Sequence, residues 1–175
     1  MVDAGSTPEW WDSAKQAISV SDTLLNDVIK EFEEPSLRSR GDLFATLIKS
    51  IVGQQISVVA ASAIWSRFED FVGEVTPESI LAKPPQEIKE VGLSNRKVEY
   101  IAGISQAWID GFGKIDWDIM SDEEVIDELV KLRGVGRWTV QMLLIFALLR
   151  PDVFPIDDIG PVSYTHLTLP TNREV

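Results

Sequence analysis

Two arginines, two glycines and a tryptophan stand together in Leu132-Arg133-Gly134-Val135-Gly136-Arg137-Trp138-Thr139. Glycine permits a turn with positive φ and has no Cβ to keep a ligand away from the backbone. N–H groups from Gly136 onward would point out of the N-terminus of a following helix, where the helix dipole favours an anion. With Arg133 and Arg137 flanking it, the turn suits one DNA phosphate, a contact that fixes position and carries no base specificity. The same glycines would serve a plain helix–helix corner. The arginines and the long apolar run that follows favour the phosphate.

An acidic pair, Asp157-Asp158, lies downstream. The predicted helix Arg137–Leu149 is about 20 Å long. Pro151 and Pro155 cannot continue it. The connection from Arg150 to Asp157 can span roughly 26–29 Å, enough to run back along the helix and place Asp157 or Asp158 near Trp138. A carboxylate and an indole would then share a cavity beside the phosphate turn. Asp158 would also suit the N-cap of a following helix, and the two roles are compatible.

Composition narrows the chemistry. The 175 residues contain no cysteine, so disulfides, thiolate zinc sites, iron–sulfur clusters and thiol nucleophiles are excluded. The single histidine, His166, leaves little for imidazole chemistry. A net charge of −12 argues against a general nucleic-acid coat or an anionic membrane partner. Placement modifies that prior, because Lys131, Arg133, Arg137 and Arg150 fall in a window with no Asp or Glu. No apolar run approaches the ~18 residues of a membrane span. Met1-Val2-Asp3-Ala4-Gly5 does not read as a secretory signal. The expected setting is cytoplasmic and nucleoid-associated, or nuclear in a eukaryote.

The elements that must position these residues read as helices throughout, so the fold class is all-α. Helices are predicted over Glu9–Ser19, Leu24–Phe32, a segment opened by Gly41-Asp42, Val58 to about Phe71, short turns after Thr76-Pro77 and Pro85, Asn95–Ile109, Ser121–Leu132 and Arg137–Leu149. The segment after Asp42 carries Leu43, Phe44, Leu47, Ile48, Ile51 and Val52 at helical spacing. Thr76-Pro77 has a cap residue before an N1 proline, and Ser121-Asp122-Glu123-Glu124 is a capping box. Residues 161–175 carry no helical stripe and read as an atypical tail, which includes His166.

Leu132-Arg-Gly-Val-Gly-Arg-Trp-Thr139 followed by Phe154-Pro-Ile-Asp-Asp-Ile-Gly160 resembles the helix–hairpin–helix (HhH-GPD) DNA glycosylases. Ile51-Val-Gly-Gln-Gln-Ile-Ser57 and Gly92-Leu-Ser-Asn-Arg-Lys-Val-Glu-Tyr-Ile101 resemble further signatures of the 3-methyladenine DNA glycosylase II branch. The resemblance runs from about Leu37 to Gly160. It implies N-terminal helices of a second lobe over 1–36 and a helical glycosylase domain over 37–160. It also implies that family helices continuing past the aspartate are replaced here by the tail, so the fold is expected to be truncated at its C-terminal end.

The activity so implied is base-excision repair, by hydrolysis of the N-glycosidic bond of alkylated purines in double-stranded DNA. By match to the motif Asp158 is the catalytic carboxylate, with Asp157 the second choice. No cofactor is required. The resemblance adds a structural Na+ or K+ held by backbone carbonyls of Leu132, Gly134 and Val135. The expected partner is duplex DNA with a damaged base, with no membrane and a monomeric chain.

Bond cleavage develops positive charge on the sugar, which an ionised carboxylate stabilises. Lysine stands at the Trp138 position in bifunctional relatives and forms a Schiff base there. An indole cannot, so a monofunctional enzyme that leaves an abasic site is predicted. The indole face would attract a cationic methylated base, and Met142 would line the same pocket. Gln54 and Gln55 would meet the flipped base or the opposite strand, or serve as satisfied buried amides. Leu93 or Asn95 would fill the vacated stack, while Arg96 and Lys97, with Gly134, Gly136, Arg133, Arg137 and Thr139 of the turn, would contact DNA. Trp10, Trp11, Trp65, Trp108 and Trp117 read as packing residues. Two other readings use the same residues: a non-catalytic helix–hairpin–helix DNA-binding module, and a mismatch-specific base glycosylase.

Overall fold

The computed structural model describes residues 4–32, 36–156 and 158. Among them the chain forms nine α-helices and one short 3-10 turn, with no strand. Trp11–Ser21 (α1) and Thr23–Glu31 (α2) form a pair, and the Asp22 carboxylate accepts the N–H groups of Leu24 and Leu25. Helix α1 starts two residues later than predicted. Its first amide bonds the Pro8 carbonyl, while the Trp10 indole donates to the Leu149 carbonyl at 3.0 Å.

Asp42 starts the central helix Leu43–Gly53 (α3), accepting from the Ala45 amide at 2.8 Å. Its stripe is buried where the spacing places it, with Leu47, Ile48, Ile51 and Val52 fully enclosed. The chain continues through Val58–Val72 (α4), Pro77–Leu81 (α5), Pro85–Glu90 (α6) and Asn95–Asp110 (α7). Caps explain the starts: Ser57 for α4, a Thr76–Ser79 capping box for α5, and Ser94 for α7. After the 3-10 turn at Phe112–Lys114 come Asp122–Leu129 (α8), opened by the Ser121–Glu124 box, and Arg137–Phe146 (α9). Helix α3 packs against α4, α7 and α9, so the first half of the chain and the last helix meet on one apolar rod. Phe44, Trp108, Phe112 and Trp117 cluster with ring centroids 5.3–6.0 Å apart, and Trp65 stacks on Phe68, so these indoles do pack.

Two helices end earlier than predicted. Helix α8 stops at Leu129 because the next residues tighten into turns, the Leu132 amide bonding the Leu129 carbonyl and the Val135 amide that of Leu132. Helix α9 stops at Phe146. The amides of Ala147 and Leu148 both reach the Leu143 carbonyl, and Leu149 takes a left-handed φ of 52°. That reversal turns Arg150 inward, where its guanidinium donates to the carbonyls of Trp117, Asp118 and Met120 at 2.9–3.2 Å. One cation of the basic window therefore ties two loops together.

Candidate functional site

The two glycines of the turn between α8 and α9 stand in different surroundings. Gly134 has φ +93°, and a Cβ there would lie 2.3 Å from the Tyr100 ring. Left-handed backbone and close ring packing both require glycine at that position. Gly136, the N-cap of α9, has an ordinary φ of −102°, and a Cβ on it would meet nothing within 4 Å. Neither backbone strain nor packing requires glycine there, so the space it leaves is open to whatever approaches from outside. Helix α9 also has no side-chain cap, and its first-turn amides lack intrahelical acceptors. Thr139 departs from expectation. Its side chain is 4% exposed, held inward by the helix phase, so only its backbone amide faces the helix end.

Twenty residues beyond Trp138, the chain does return. The Asp158 amide bonds the carbonyl of buried Pro155 at 3.1 Å, and the Asp158 carboxylate accepts the Trp138 indole N–H at 3.0 Å. The predicted juxtaposition is present. Trp138 is 42% exposed, and the pair lies at the surface. Two hollows, of about 400 and 640 Å³, are both lined by Trp108 and include neither residue. Met142 sits one turn along α9 from Trp138 and is half-buried. Asp157 and the residues from 159 onward, including any helix that Asp158 would cap, lie outside the described residues.

The cations are arranged with their own partners. Arg133 pairs with Glu99 at 3.4 Å, and its guanidinium lies 5.6 Å from the Tyr100 ring centre. Arg96 sits on the same ring and donates to the Tyr100 hydroxyl at 3.0 Å. Arg137 meets Glu123 through both guanidinium nitrogens, and it holds that carboxyl below the usual carboxylate range by hydrogen bonding. These are exposed pairs of the kind that exchange readily for another anion. Lys97 does not fit the predicted role. Its ammonium donates to the carbonyls of Val52 and Gln54 at 2.7 and 2.8 Å, capping the end of α3, and burial lowers its pKa. Leu93 is likewise overturned as a stack-filling wedge, being 5% exposed within the core, whereas Asn95 is exposed at the start of α7.

The two glutamines divide. Gln54 donates from Nε2 to the Gly134 carbonyl at 3.0 Å, so its amide is committed to the turn and not to a base pocket. Gln55 is exposed with φ 59°, a conformation rarely held by a non-glycine residue. Two members of the expected carbonyl set Leu132, Gly134 and Val135 already accept one hydrogen bond each. Gly134 faces an amide donor, and Leu132 already accepts the Val135 amide. Among the described residues no cluster of acidic or histidine side chains could hold a metal. Tyr100, Glu99 and Glu123 are site residues that sequence reasoning missed. Arg96 and Tyr100 stand four apart on one predicted helix, a spacing that could have flagged the first pair.

The HhH-GPD superfamily base excision DNA repair protein model matches residues 48–162. DNA-3-methyladenine glycosylase 1 of Schizosaccharomyces pombe is 38% identical over 122 residues, covering 67% of this chain and 54% of that protein. The putative DNA-3-methyladenine glycosylase YfjP of Bacillus subtilis is 30% identical over 161 residues, covering 86% and 56%. The chain thus spans about half the length of these curated relatives. Among solved structures, the Schizosaccharomyces pombe 3-methyladenine DNA glycosylase in complex with abasic DNA superposes with TM-score 0.76 at 32% identity, covering 89% of this chain and 80% of that one.

Proposed function

The chain belongs to the HhH-GPD superfamily of base excision DNA repair proteins, and we propose that it removes alkylated purines from double-stranded DNA by monofunctional hydrolysis of the N-glycosidic bond. The observation that carries this reading is the 3.0 Å contact between the Trp138 indole and the Asp158 carboxylate, reached from the far end of α9. The names of its relatives support the substrate class, since the Schizosaccharomyces pombe protein is named a DNA-3-methyladenine glycosylase and the Bacillus subtilis one a putative DNA-3-methyladenine glycosylase.

The turn takes the first step. Amides at the α9 N-terminus, with Arg133 and Arg137 released from Glu99 and Glu123, grip one phosphate beside Gly136. The target nucleotide leaves the stack, and its base lies against Trp138 and Met142. An N3- or N7-methylated purine is cationic, and an indole face attracts it with about 0.5–2 kcal/mol. The C1′–N bond then breaks, its electron pair passing to the base, which departs neutral. The carboxylate of Asp158 stabilises the charge left on the sugar. Water adds to C1′ and gives its proton to Asp158 and then to solvent. The indole N–H holds the carboxylate in place. No lysine stands at position 138, so no Schiff base forms and the product is an intact abasic site.

Duplexes carrying 3-methyladenine, 7-methylguanine, hypoxanthine or mismatched thymine test the substrate class, with free base measured in each. Release confined to the methylated purines is the expected result. Release of mismatched thymine alone would move the chain to the mismatch class, and no release with intact DNA binding would make it a binding module.

A further inference from the structure

Three segments from distant parts of the sequence meet in this fold: the corner after α3, the start of α7 and the turn before α9. Three hydrogen bonds join them. Lys97 on α7 donates to the Val52 and Gln54 carbonyls, and Gln54 donates in turn to the Gly134 carbonyl. Gln54 is the shared member. Its backbone carbonyl receives α7 and its side chain reaches the phosphate turn, across 80 residues of sequence. The Tyr100 ring of α7 also lies against Gly134, so the turn and α7 are in direct contact. The corner is also held under strain, with Gln55 at φ 59° directly after Gln54. A strained residue persists where its surroundings over-determine it, and bonds to Gln54 on both sides do so here.

We infer that Gln54 is a positioning residue that sets the phosphate turn relative to α7, so that the turn amides and Arg96 of α7 engage one DNA backbone together. This rests on the reading of the turn as a phosphate clamp. An amide is suited to the role, since it donates to a carbonyl without placing a charge beside the DNA. Without the donor the turn can rotate away from α7 on its two glycines, and one phosphate contact is lost.

The test measures affinity of the full chain for a duplex containing a tetrahydrofuran abasic-site analogue, over a range of salt concentrations. Wild type is compared with Gln54→Met, which matches the side chain in length, and Gln54→Glu, which keeps its shape but presents a carboxylate; helical circular dichroism verifies folding of each. The expected result is about tenfold weaker binding by Gln54→Met and a salt slope shallower by about 0.9, the value for one phosphate contact. Gln54→Glu weakens at least as much. A merely structural glutamine would lower the melting temperature and leave the slope unchanged. Folded variants with wild-type affinity and slope would overturn the role of Gln54 alone. A wild-type chain that does not bind the duplex would instead overturn the clamp itself, and this inference with it.

Discussion

The indole N–H of Trp138 points at the carboxylate of Asp158, 3.0 Å away, although the two residues are separated by a helix and a proline-bearing return segment. Trp138 is fixed in the first turn of α9, and Asp158 arrives through a turn closed on Pro155. The indole that the proposed function sets against a cationic base and the carboxylate that it sets beside a cationic sugar are thereby held as one unit.

Trp138→Phe separates these roles. The ring remains while the N–H is lost, so affinity for methylated DNA falls little, whereas base release slows about tenfold, as expected for a hydrogen bond to a charged group. Single-turnover base release at saturating protein measures it. Equal losses in affinity and rate would contradict the positioning role of the N–H.

The two glycines of the turn predict opposite phenotypes. Gly134→Ala combines left-handed strain with overlap on Tyr100 and destabilises the fold by about 2–5 kcal/mol, seen as a lower melting temperature. Gly136→Ala has an ordinary φ and open surroundings, so its stability stays within about 1 kcal/mol of wild type. Its methyl group stands where the phosphate would approach, and DNA affinity drops about tenfold. Loss of stability at Gly136 with unchanged affinity would contradict the assignment.

Glu123 holds the Arg137 guanidinium that the proposed phosphate clamp requires. The guanidinium holds the Glu123 carboxyl below its ordinary value, so this ion pair is fully present above the usual carboxylate range and is lost as pH falls through the lowered value. Glu123→Gln therefore binds duplex DNA about threefold more tightly at neutral pH. That advantage shrinks as pH drops, because protonated Glu123 in the wild type lets go as well. Fluorescence anisotropy titrations of both proteins against pH check the sign.

Fold class and helix positions were legible because local chemistry decides them. Asp22, Asp42, Ser94, Thr76 and Ser121 cap the helices they precede, and the α3 stripe is buried residue for residue. The return of Asp158 to Trp138 followed from chain length and proline placement. What did not follow were outcomes that need the third dimension. Lys97 and Arg96 are neighbours on one helix, yet one caps α3 while the other lies on Tyr100. The family resemblance offered Leu93 beside Asn95 as a wedge, but Leu93 lies in the core. Gln54 and Gln55 share a dipeptide, and only the φ reversal at Gln55 sends one to the turn and the other to solvent. No local pattern reports which carbonyl a long side chain will find.

Asp158→Asn in the full chain tests the excision chemistry most directly, with base release and DNA affinity measured on the same methylated duplex. Asparagine keeps the size and an acceptor for the Trp138 N–H while removing the charge. The predicted result is a loss of base release of about 10²–10³-fold, the scale of transition-state electrostatics, with affinity within about threefold of wild type. Base release at the wild-type rate by a folded Asp158→Asn protein would contradict the assignment of this carboxylate to catalysis.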